Sequence, residues 1–393
     1  MVSPKRIGQR QVLTGAFAVV CLLATAPAHG AADVPDPAKP GPYLVGVTTT
    51  LLVDHSRTDV TTGGPRSLMT EIWYPATDGS RDLPKNTFSD FFLKGRNPKL
   101  NGALTLAFKI DLKEIDKTFR NFAVRDARVR DGIFPLIVFS HGNGGIRSQN
   151  AYWCDHMASH GYIVMSPDHT GNSAVTAIDS EVIPYNNEGR QASAVDRPRD
   201  LMFLIDTMLR MNNGADSRFM GKIDISHIGA SGHSFGGYAA TAVADMDPRI
   251  DAIAPMAAVN RERANYTCPA MVLLATEDAT IGLDGNARIR QYYEESKGPR
   301  YLVELVNGGH YSFTEMYQVN PRFGDGVGQG KRITNGEEIV YITMDRAFEI
   351  TNAYTTAFFG RYLKGVTNYD EFLSTNHYAD EVIYKADAAV TVD

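Results

Sequence analysis

The 393-residue sequence has only three cysteines and no sustained run of basic residues. Its net charge is -6, and a nucleic-acid-binding surface is usually strongly basic, so we expect no nucleic-acid partner. No internal repeat or low-complexity tract is present, which argues against a repeat architecture. The hydrophobic share of 43% and the charged share of 21% are ordinary for a globular protein with a substantial core. One large α/β domain is the expected organisation.

The first thirty residues have the parts of a secretory signal peptide. Lys5, Arg6 and Arg10 form a positive start, residues 12–25 form an apolar stretch, and Ala26-Pro27-Ala28 fits a cleavage site. The apolar stretch is too short for a comfortable membrane span. We therefore expect cleavage after residue 28 or shortly beyond it, and a secreted or periplasmic protein with no stable membrane span.

Two cysteines, Cys154 and Cys268, remain after the predicted cleavage. An oxidising compartment would allow them to form one disulfide, and the alternative is two separate thiols that pack as small hydrophobic groups. A disulfide requires a short distance between the two Cα atoms, which a sequence does not supply. Both alternatives stay open at this point.

Short apolar runs alternate with helical patterns along most of the chain. Residues 45–53 and 67–74 indicate an antiparallel hairpin at a sheet edge. Apolar runs typical of buried parallel strands follow at 134–140, 162–165, 226–231, 253–256, 270–275 and 301–306. Helical patterns lie at 150–160, 196–210 and 344–363. The sum predicts an α/β fold with a doubly wound, mostly parallel sheet of about eight strands and helices on both faces.

Gly232-His233-Ser234-Phe235-Gly236 carries the strongest functional signal in the chain. A serine projects as a nucleophile when the chain turns sharply from a strand into a helix, and side chains two residues before and after it would collide in that turn. Glycine meets this requirement at both positions. The stretch matches GxSxG, the nucleophile elbow of the α/β-hydrolases, and predicts Ser234 as the nucleophile.

A nucleophilic serine needs a histidine base and an acid that orients the histidine. In this fold both follow the serine along the chain, each on a loop after a strand. Asp278 follows the predicted strand 270–275, and His310 follows 301–306, so we predict them as acid and base. Glu277 is the alternative acid, but only one of two neighbouring side chains can easily point inward.

Other histidines offer competing interpretations. His156 and His160 lie four residues apart on a predicted helix, which is a metal-ligand spacing, but no third ligand is evident and a structural role is favoured. His233 adjoins Ser234, a position that does not give the geometry of a base. His169 is expected to pack and form hydrogen bonds. We therefore predict no metal and no cofactor.

The oxyanion formed during acyl transfer needs hydrogen-bond donors. The backbone N–H of Phe235, directly after the nucleophile, is one predicted donor. The second is predicted to be the N–H of Asn143, in the glycine-rich stretch 141–145. That stretch lacks the lysine and the serine or threonine of a Walker phosphate loop, so phosphate binding is the weaker alternative.

The combined motifs resemble secreted α/β-hydrolases of the platelet-activating-factor acetylhydrolase type, and bacterial dienelactone-hydrolase-like proteins share much of the layout. The resemblance covers most of the mature chain and is carried by residues 140–145, 232–237, 277–278 and 309–310. It implies metal-free hydrolysis of lipid-like or short-acyl esters, with Ser234, Asp278 and His310 as the triad. Asn143 and Phe235 are the implied oxyanion donors. True dienelactone hydrolases use a cysteine nucleophile, so the serine here argues against a dienelactone substrate.

These inferences predict a signal peptide at 1–30 and a single α/β-hydrolase domain at 31–393, with insertions near 76–131 and 312–335. Phe313, Met316 and Tyr317 suggest an apolar wall beside the base, and the glycine-rich stretch beyond them is either a lid or an ordinary loop. The predicted function is a secreted serine esterase acting on a small-molecule or lipid-like ester. The alternatives are a polyester or amide hydrolase and a non-catalytic binding protein of the same fold.

Overall fold

The computed structural model describes residue 1, residue 106, and six longer stretches: 34–93, 111–119, 121–178, 181–260, 267–319 and 321–388. Apart from residue 1, the predicted signal peptide lies outside these residues. Residues 94–105, 107–110 and 120, within the insertion predicted near 76–131, also lie outside the described residues. The account below concerns residues 35–388.

Fourteen strands are found in the described part of the chain. They are β1 (Leu44–Thr58), β2 (Pro65–Ala76), β3 (Ala123–Arg125), β4 (Phe134–Ser140), β5 (Ile163–Pro167), β6 (Val175–Ile178), β7 (Glu181–Pro184), β8 (Ile223–His233), β9 (Ile250–Met256), β10 (Ala270–Ala275), β11 (Arg300–Leu305), β12 (Gln329–Lys331), β13 (Glu338–Val340) and β14 (Val382–Asp387). Ten of them form one mixed sheet in the order β14-β11-β10-β9-β8-β4-β5-β2-β1-β3. The α/β fold class is confirmed.

Nine α-helices accompany these strands within the same described residues. They are α1 (Asp90–Leu93), α2 (Leu112–Thr118), α3 (Ala151–Ser159), α4 (Asn187–Arg210), α5 (Phe235–Met246), α6 (Gly282–Glu295), α7 (Met316–Val319), α8 (Met344–Lys364) and α9 (Tyr369–Leu373). The helix predicted at 196–210 begins nine residues earlier than expected. Asn186 caps its start by accepting a hydrogen bond from the backbone N–H of Gly189.

The centre of the sheet is parallel and fully buried. All seven residues of β4 are buried, and β4 pairs in parallel with both β5 and β8. The parallel pairing continues through β9 and β10 to β11. The carboxyl ends of these strands therefore meet at one edge of the sheet, where loops can gather functional side chains.

The two outermost strands are additions to the predicted set of about eight. β3 has only three residues, and β14 is largely exposed along its length. Neither has the long apolar run that marks a buried strand, which is why the sequence did not reveal them. The predicted hairpin is present as β1 and β2, and β3 pairs with β1 beyond it.

Two buried histidines at the end of α3, His156 within it and His160 directly after it, hold the segment that precedes β1. His156 Nε2 donates to the carbonyl of Pro37 at 2.9 Å, and His160 Nε2 donates to the carbonyl of Lys39 at 2.8 Å. Burial lowers the pKa of His156 to about 3 and that of His160 to about 4. Their Nε2 atoms are committed to backbone carbonyls, which favours the structural role over metal binding.

The open question about the cysteines is answered by their state. Cys154 is a buried free thiol on α3, and Cys268 is a partly buried free thiol just before β10. Burial raises the pKa of both thiols, so each stays protonated at neutral pH.

Across the described stretches, no helix is both long and apolar enough to cross a bilayer.

The depressed pKa of His160 makes stability depend on pH. Below about pH 6.5 the unfolded chain binds a proton at this site while the folded protein does not, so the free energy of unfolding falls by up to about 1.4 kcal/mol per pH unit until about pH 4. His160→Gln retains a donor but cannot titrate. Urea unfolding of the variant between pH 7.5 and 4.5 is expected to show a shallower loss of stability with acidification.

His55→Gln is the matched control for replacing a histidine by glutamine, because His55 is an exposed residue of β1. Equal slopes for wild type and His160→Gln would contradict a neutral, buried His160.

Candidate active site

Ser234 stands at a sharp turn between β8 and α5. Its backbone has φ 54° and ψ -122°, a conformation that L-residues rarely adopt and that indicates stored strain. A Cβ atom on Gly232 would lie 2.4 Å from the carbonyl oxygen of Gly236, and one on Gly236 would lie 1.8 Å from the carbonyl oxygen of Ser140. The turn therefore has no space for a side chain at either glycine, as the elbow motif requires.

The structure brings Ser234, His310 and Asp278 into one chain of hydrogen bonds. Ser234 Oγ lies 2.8 Å from His310 Nε2, and His310 Nδ1 lies 2.7 Å from Asp278 Oδ2. Asp278 and His310 are buried, and Ser234 is partly exposed. A proton can pass from the serine hydroxyl to the imidazole while the carboxylate holds the ring in one tautomer.

The neighbouring Glu277 points into a different environment. Its carboxylate pairs with Arg332 at 3.0 Å and accepts a hydrogen bond from the backbone N–H of Ile333 at 3.0 Å. Asp278 additionally accepts from the backbone N–H of Ile281 at 3.0 Å, which fixes its second oxygen. Of the two neighbouring acids, only Asp278 reaches the imidazole.

His233 connects the loop that carries His310 with the glycine-rich loop. Its Nε2 donates to the carbonyl of His310 at 2.8 Å, and its Nδ1 accepts from Gln149 Nε2 at 2.9 Å. Gln149 Oε1 in turn accepts from the backbone N–H of Gly142 at 3.1 Å. Burial, reinforced by the neighbouring His310, holds the pKa of His233 well below its usual range. This neutral histidine links two loops through its hydrogen bonds, and both of its ring nitrogens are occupied, so it is not placed as a base for Ser234.

The stretch after His310 is packed against the loops around it. The carboxylate of Asp325 accepts from the backbone N–H and the hydroxyl of Thr280 at 2.9 and 2.7 Å. Its carbonyl accepts from the backbone N–H of Tyr311. A Cβ atom on Gly309 would lie 2.4 Å from the backbone nitrogen of Gly326. These contacts favour an ordinary packed loop over a mobile lid.

Asn143 and Phe235 are the predicted oxyanion donors. No acceptor for the backbone N–H of either residue occurs among the residues that the structure describes. The N–H of Phe235 begins α5, and the start of a helix carries partial positive charge. A Cβ atom on Gly142 would lie 3.4 Å from Cβ of Ser234, so the two loops are in close contact. Neither N–H group is therefore engaged by another described residue, which is compatible with the predicted role.

Partly exposed aromatic rings lie on the segments that carry Ser234 and His310. The ring of Phe235 lies 5.4 Å from that of Tyr238, and the ring of Tyr311 lies 4.9 Å from His310 and 4.9 Å from Phe323. Phe235, Tyr238 and Tyr311 are each partly exposed. They offer apolar surface to a ligand near Ser234 and His310.

The apolar wall expected from Phe313 and Met316 is not formed by those residues. Both side chains are buried, and the ring of Phe313 packs 6.4 Å from that of His233. Because His310–Phe313 forms a tight helical turn, Phe313 faces the core on the inner side of the His310 loop. Only Tyr317 remains partly exposed.

Arg197 touches the glycine-rich loop, although no motif marks it. Its guanidinium donates to the carbonyls of His141 and Gly142 and to the side chain of Asn172. Its position four residues before Leu201 is the signal in the sequence, because that spacing puts a charge on the buried face of α4.

Comparison with known proteins places this site in a family. A model of PET hydrolase-like proteins matches residues 129–325, which is half of the chain and includes every residue of the site. The chain belongs to the PET hydrolase-like family. A second model, platelet-activating factor acetylhydrolase isoform II, matches residues 30–195.

Individual relatives agree with this placement. A platelet-activating factor acetylhydrolase of Cavia porcellus is 24% identical over 87% of this chain and 81% of its own length. A cutinase of Thermobifida alba is 25% identical over 46% of this chain and 54% of the cutinase. A ferulic acid esterase from Streptomyces cinnamoneus has the same fold, with a TM-score of 0.63 and 24% identity over 82% of this chain and 90% of the esterase. The protein is a carboxylic ester hydrolase of the α/β-hydrolase fold.

Proposed function

We propose that this ester hydrolase is an exported serine esterase that forms an acyl-enzyme on Ser234. The observation that carries the proposal is the pair of short contacts from Ser234 Oγ to His310 Nε2 and from His310 Nδ1 to Asp278. The strained backbone of Ser234 supports it further. The pattern of a signal peptide in residues 1–30 supports export to a secreted or periplasmic location.

In the proposed reaction His310 takes the proton of Ser234 as Oγ attacks the ester carbonyl. The N–H groups of Asn143 and Phe235 donate to the oxyanion, and each such donor is typically worth about 3 kcal/mol of barrier. His310 then protonates the leaving alcohol. In the second half it activates a water molecule that releases the acid, and Asp278 stabilises the charged imidazole throughout.

The proposed substrate is an ester with an apolar or aromatic part beside the scissile bond. Phe235, Tyr238 and Tyr311 are partly exposed around the serine, and burial of their rings against a ligand would contribute binding energy. The acetylhydrolase and cutinase relatives are consistent with short-acyl or lipid-like esters.

Hydrolysis of p-nitrophenyl esters from acetyl to palmitoyl tests the proposed function. We expect turnover by the purified mature protein with a maximum at short acyl lengths, and a loss of at least about 10⁴-fold in kcat for Ser234→Ala. A long-chain maximum would indicate a lipase. Full turnover in Ser234→Ala, or no turnover in the wild type, would refute the serine mechanism.

Asp278→Asn tests the assignment of the acid. The amide cannot stabilise the charged imidazole and permits the wrong tautomer, so kcat should fall by about 10³ to 10⁴-fold with little change in KM. Glu277→Gln is the matched control, because Glu277 pairs with Arg332 and does not reach His310. It should retain kcat within a few fold, and the reverse ranking of the two variants would reassign the acid.

A polymeric ester is the second candidate substrate, favoured by membership in the PET hydrolase-like family. Release of soluble products from an amorphous aromatic polyester film, set against hydrolysis of a soluble aromatic ester, separates the two candidates. We expect the soluble ester to be cleaved and the film to release little. Film hydrolysis that Ser234→Ala abolishes would establish the polymer instead.

A further inference from the structure

Arg197 is fully buried and, unlike the other deeply buried arginines, has no carboxylate partner. Arg66 pairs with Asp59 and Asp200, and Arg147 pairs with Glu71 and Asp168. Within the described stretches, the hydrogen bonds of Arg197 reach no carboxylate. A buried charge without a counter-ion is costly, so its retention calls for a local reason.

Every hydrogen bond of this guanidinium goes to a neutral acceptor around the glycine-rich loop. Nη1 donates to the carbonyl of His141 and, at 3.0 Å, to the hydroxyl of Ser140. Nη2 donates to the carbonyl of Gly142 at 3.1 Å. Nε donates to Oδ1 of Asn172 at 3.0 Å. The fork of Arg197 thus fixes two consecutive carbonyls directly before Asn143.

Asn172 extends the same network to Asn143 itself. Its side-chain nitrogen donates to Asn143 Oδ1 at 2.8 Å, and its carbonyl accepts from the backbone N–H of Gly144 at 3.0 Å. The guanidinium also lies over the ring of Phe235, 4.8 Å from its centroid. The two residues proposed as oxyanion donors are therefore both held by contacts that lead to Arg197.

We propose that Arg197 is a positioning residue for the oxyanion hole, fixing the loop at Asn143 and the side chain of Phe235 while placing next to them a positive charge that no carboxylate binds directly. This inference rests on the proposed function. A preorganised positive charge favours the state in which negative charge develops on the carbonyl oxygen, and burial keeps water from weakening that effect. Burial lowers the pKa of Arg197 to about 9, and the group is still charged at neutral pH.

The charge of Arg197 is attracted by Asp200, one turn further along α4, but that carboxylate is bound directly to Arg66, Arg57 and His169 and not to Arg197. The imidazole of His169 is neutral, because burial and then the charge of Arg197 lower its pKa to about 3. His141 is likewise neutral, since burial and Arg197 hold its pKa well below the usual range.

Arg197→Met and Arg197→Lys separate the two parts of the proposed role. Methionine removes both the hydrogen bonds of the guanidinium and its charge, whereas lysine keeps the charge but not the planar set of hydrogen-bond donors. We expect kcat to fall by about 10² to 10³-fold in Met and by a smaller factor in Lys, with KM changed less than threefold in both. The affinity for an aryl boronic acid, which forms a tetrahedral adduct with serine, should fall in parallel with kcat/KM.

Leu204→Ala is the matched control for loss of packing, because Leu204 is buried on the same helix and belongs to the apolar core. It should lower the melting temperature without lowering kcat per active serine, counted by titration to completion with a fluorophosphonate probe. Should Arg197→Met not fold, Arg197→Lys decides the question by the same measurements.

Two failures remain distinguishable in this design. If the wild type shows no turnover that depends on Ser234, the proposed function fails. If the wild type is active but both folded Arg197 variants keep kcat and boronate affinity within threefold, Arg197 has no role in the oxyanion hole and the inference alone is overturned. The inference would also be overturned if the Arg197 variants lost no more kcat per active serine than Leu204→Ala does.

Discussion

The close approach of the nucleophile turn to the end of β4 is the constraint on which the site depends. A single methyl group on Gly236 would lie 1.8 Å from the carbonyl oxygen of Ser140, so the two chain segments are in direct backbone contact. Ser140 is the last residue of β4, and the chain continues from it into the loop that carries Asn143. The contact that accommodates the strained serine therefore also brings the second proposed oxyanion donor beside it.

Ser140 also belongs to a buried hydrogen-bond network that supports this contact. The hydroxyl of Ser140 lies 2.8 Å from His169 Nε2, and His169 Nδ1 lies 2.8 Å from Asp200. The order serine, histidine, aspartate is the same as in the candidate active site. All three of these side chains are fully buried, however, so no substrate reaches them. Asp200 is paired with Arg66 at 2.6 Å, which compensates its charge. Satisfied networks of this kind rigidify the elements they join, because breaking one bond leaves a buried polar group without a partner.

The parts of the fold and site that could be predicted are those with a local stereochemical signature. The central strands are continuous apolar runs, and the nucleophile turn needs glycine at fixed offsets, so both are legible in a few neighbouring residues. His310 and Asp278 follow because parallel strands end at one edge of the sheet. Edge strand β14 and the early start of α4 lack such signatures, since solvent-facing polar residues are compatible with several conformations.

The direction in which a side chain points is harder to predict from the sequence than the strand or helix that carries it. Phe313 is close to His310 in sequence, yet the intervening turn directs it into the core, and apolar character alone does not distinguish a pocket wall from packing. Arg197 lies 55 positions after Gly142, and the bond between them depends on how α4 packs on β4. Contacts of that kind are properties of the assembled layers.

Charge is distributed across the site in the sense that acyl transfer requires. In the proposed reaction the imidazole of His310 gains positive charge as it accepts the serine proton, and the carboxylate of Asp278 lies 2.7 Å from its other nitrogen. The carbonyl oxygen of the ester would gain negative charge beside the proposed donors, where α5 begins and where Arg197 is buried without a directly bound carboxylate. Fixed charges of opposite sign on the two sides lower the energy of the charge-separated state without reorganisation of solvent. The proposed substrate contributes an ester and an apolar surface, which the partly exposed rings of Phe235 and Tyr311, adjacent in sequence to Ser234 and His310, are suited to contact.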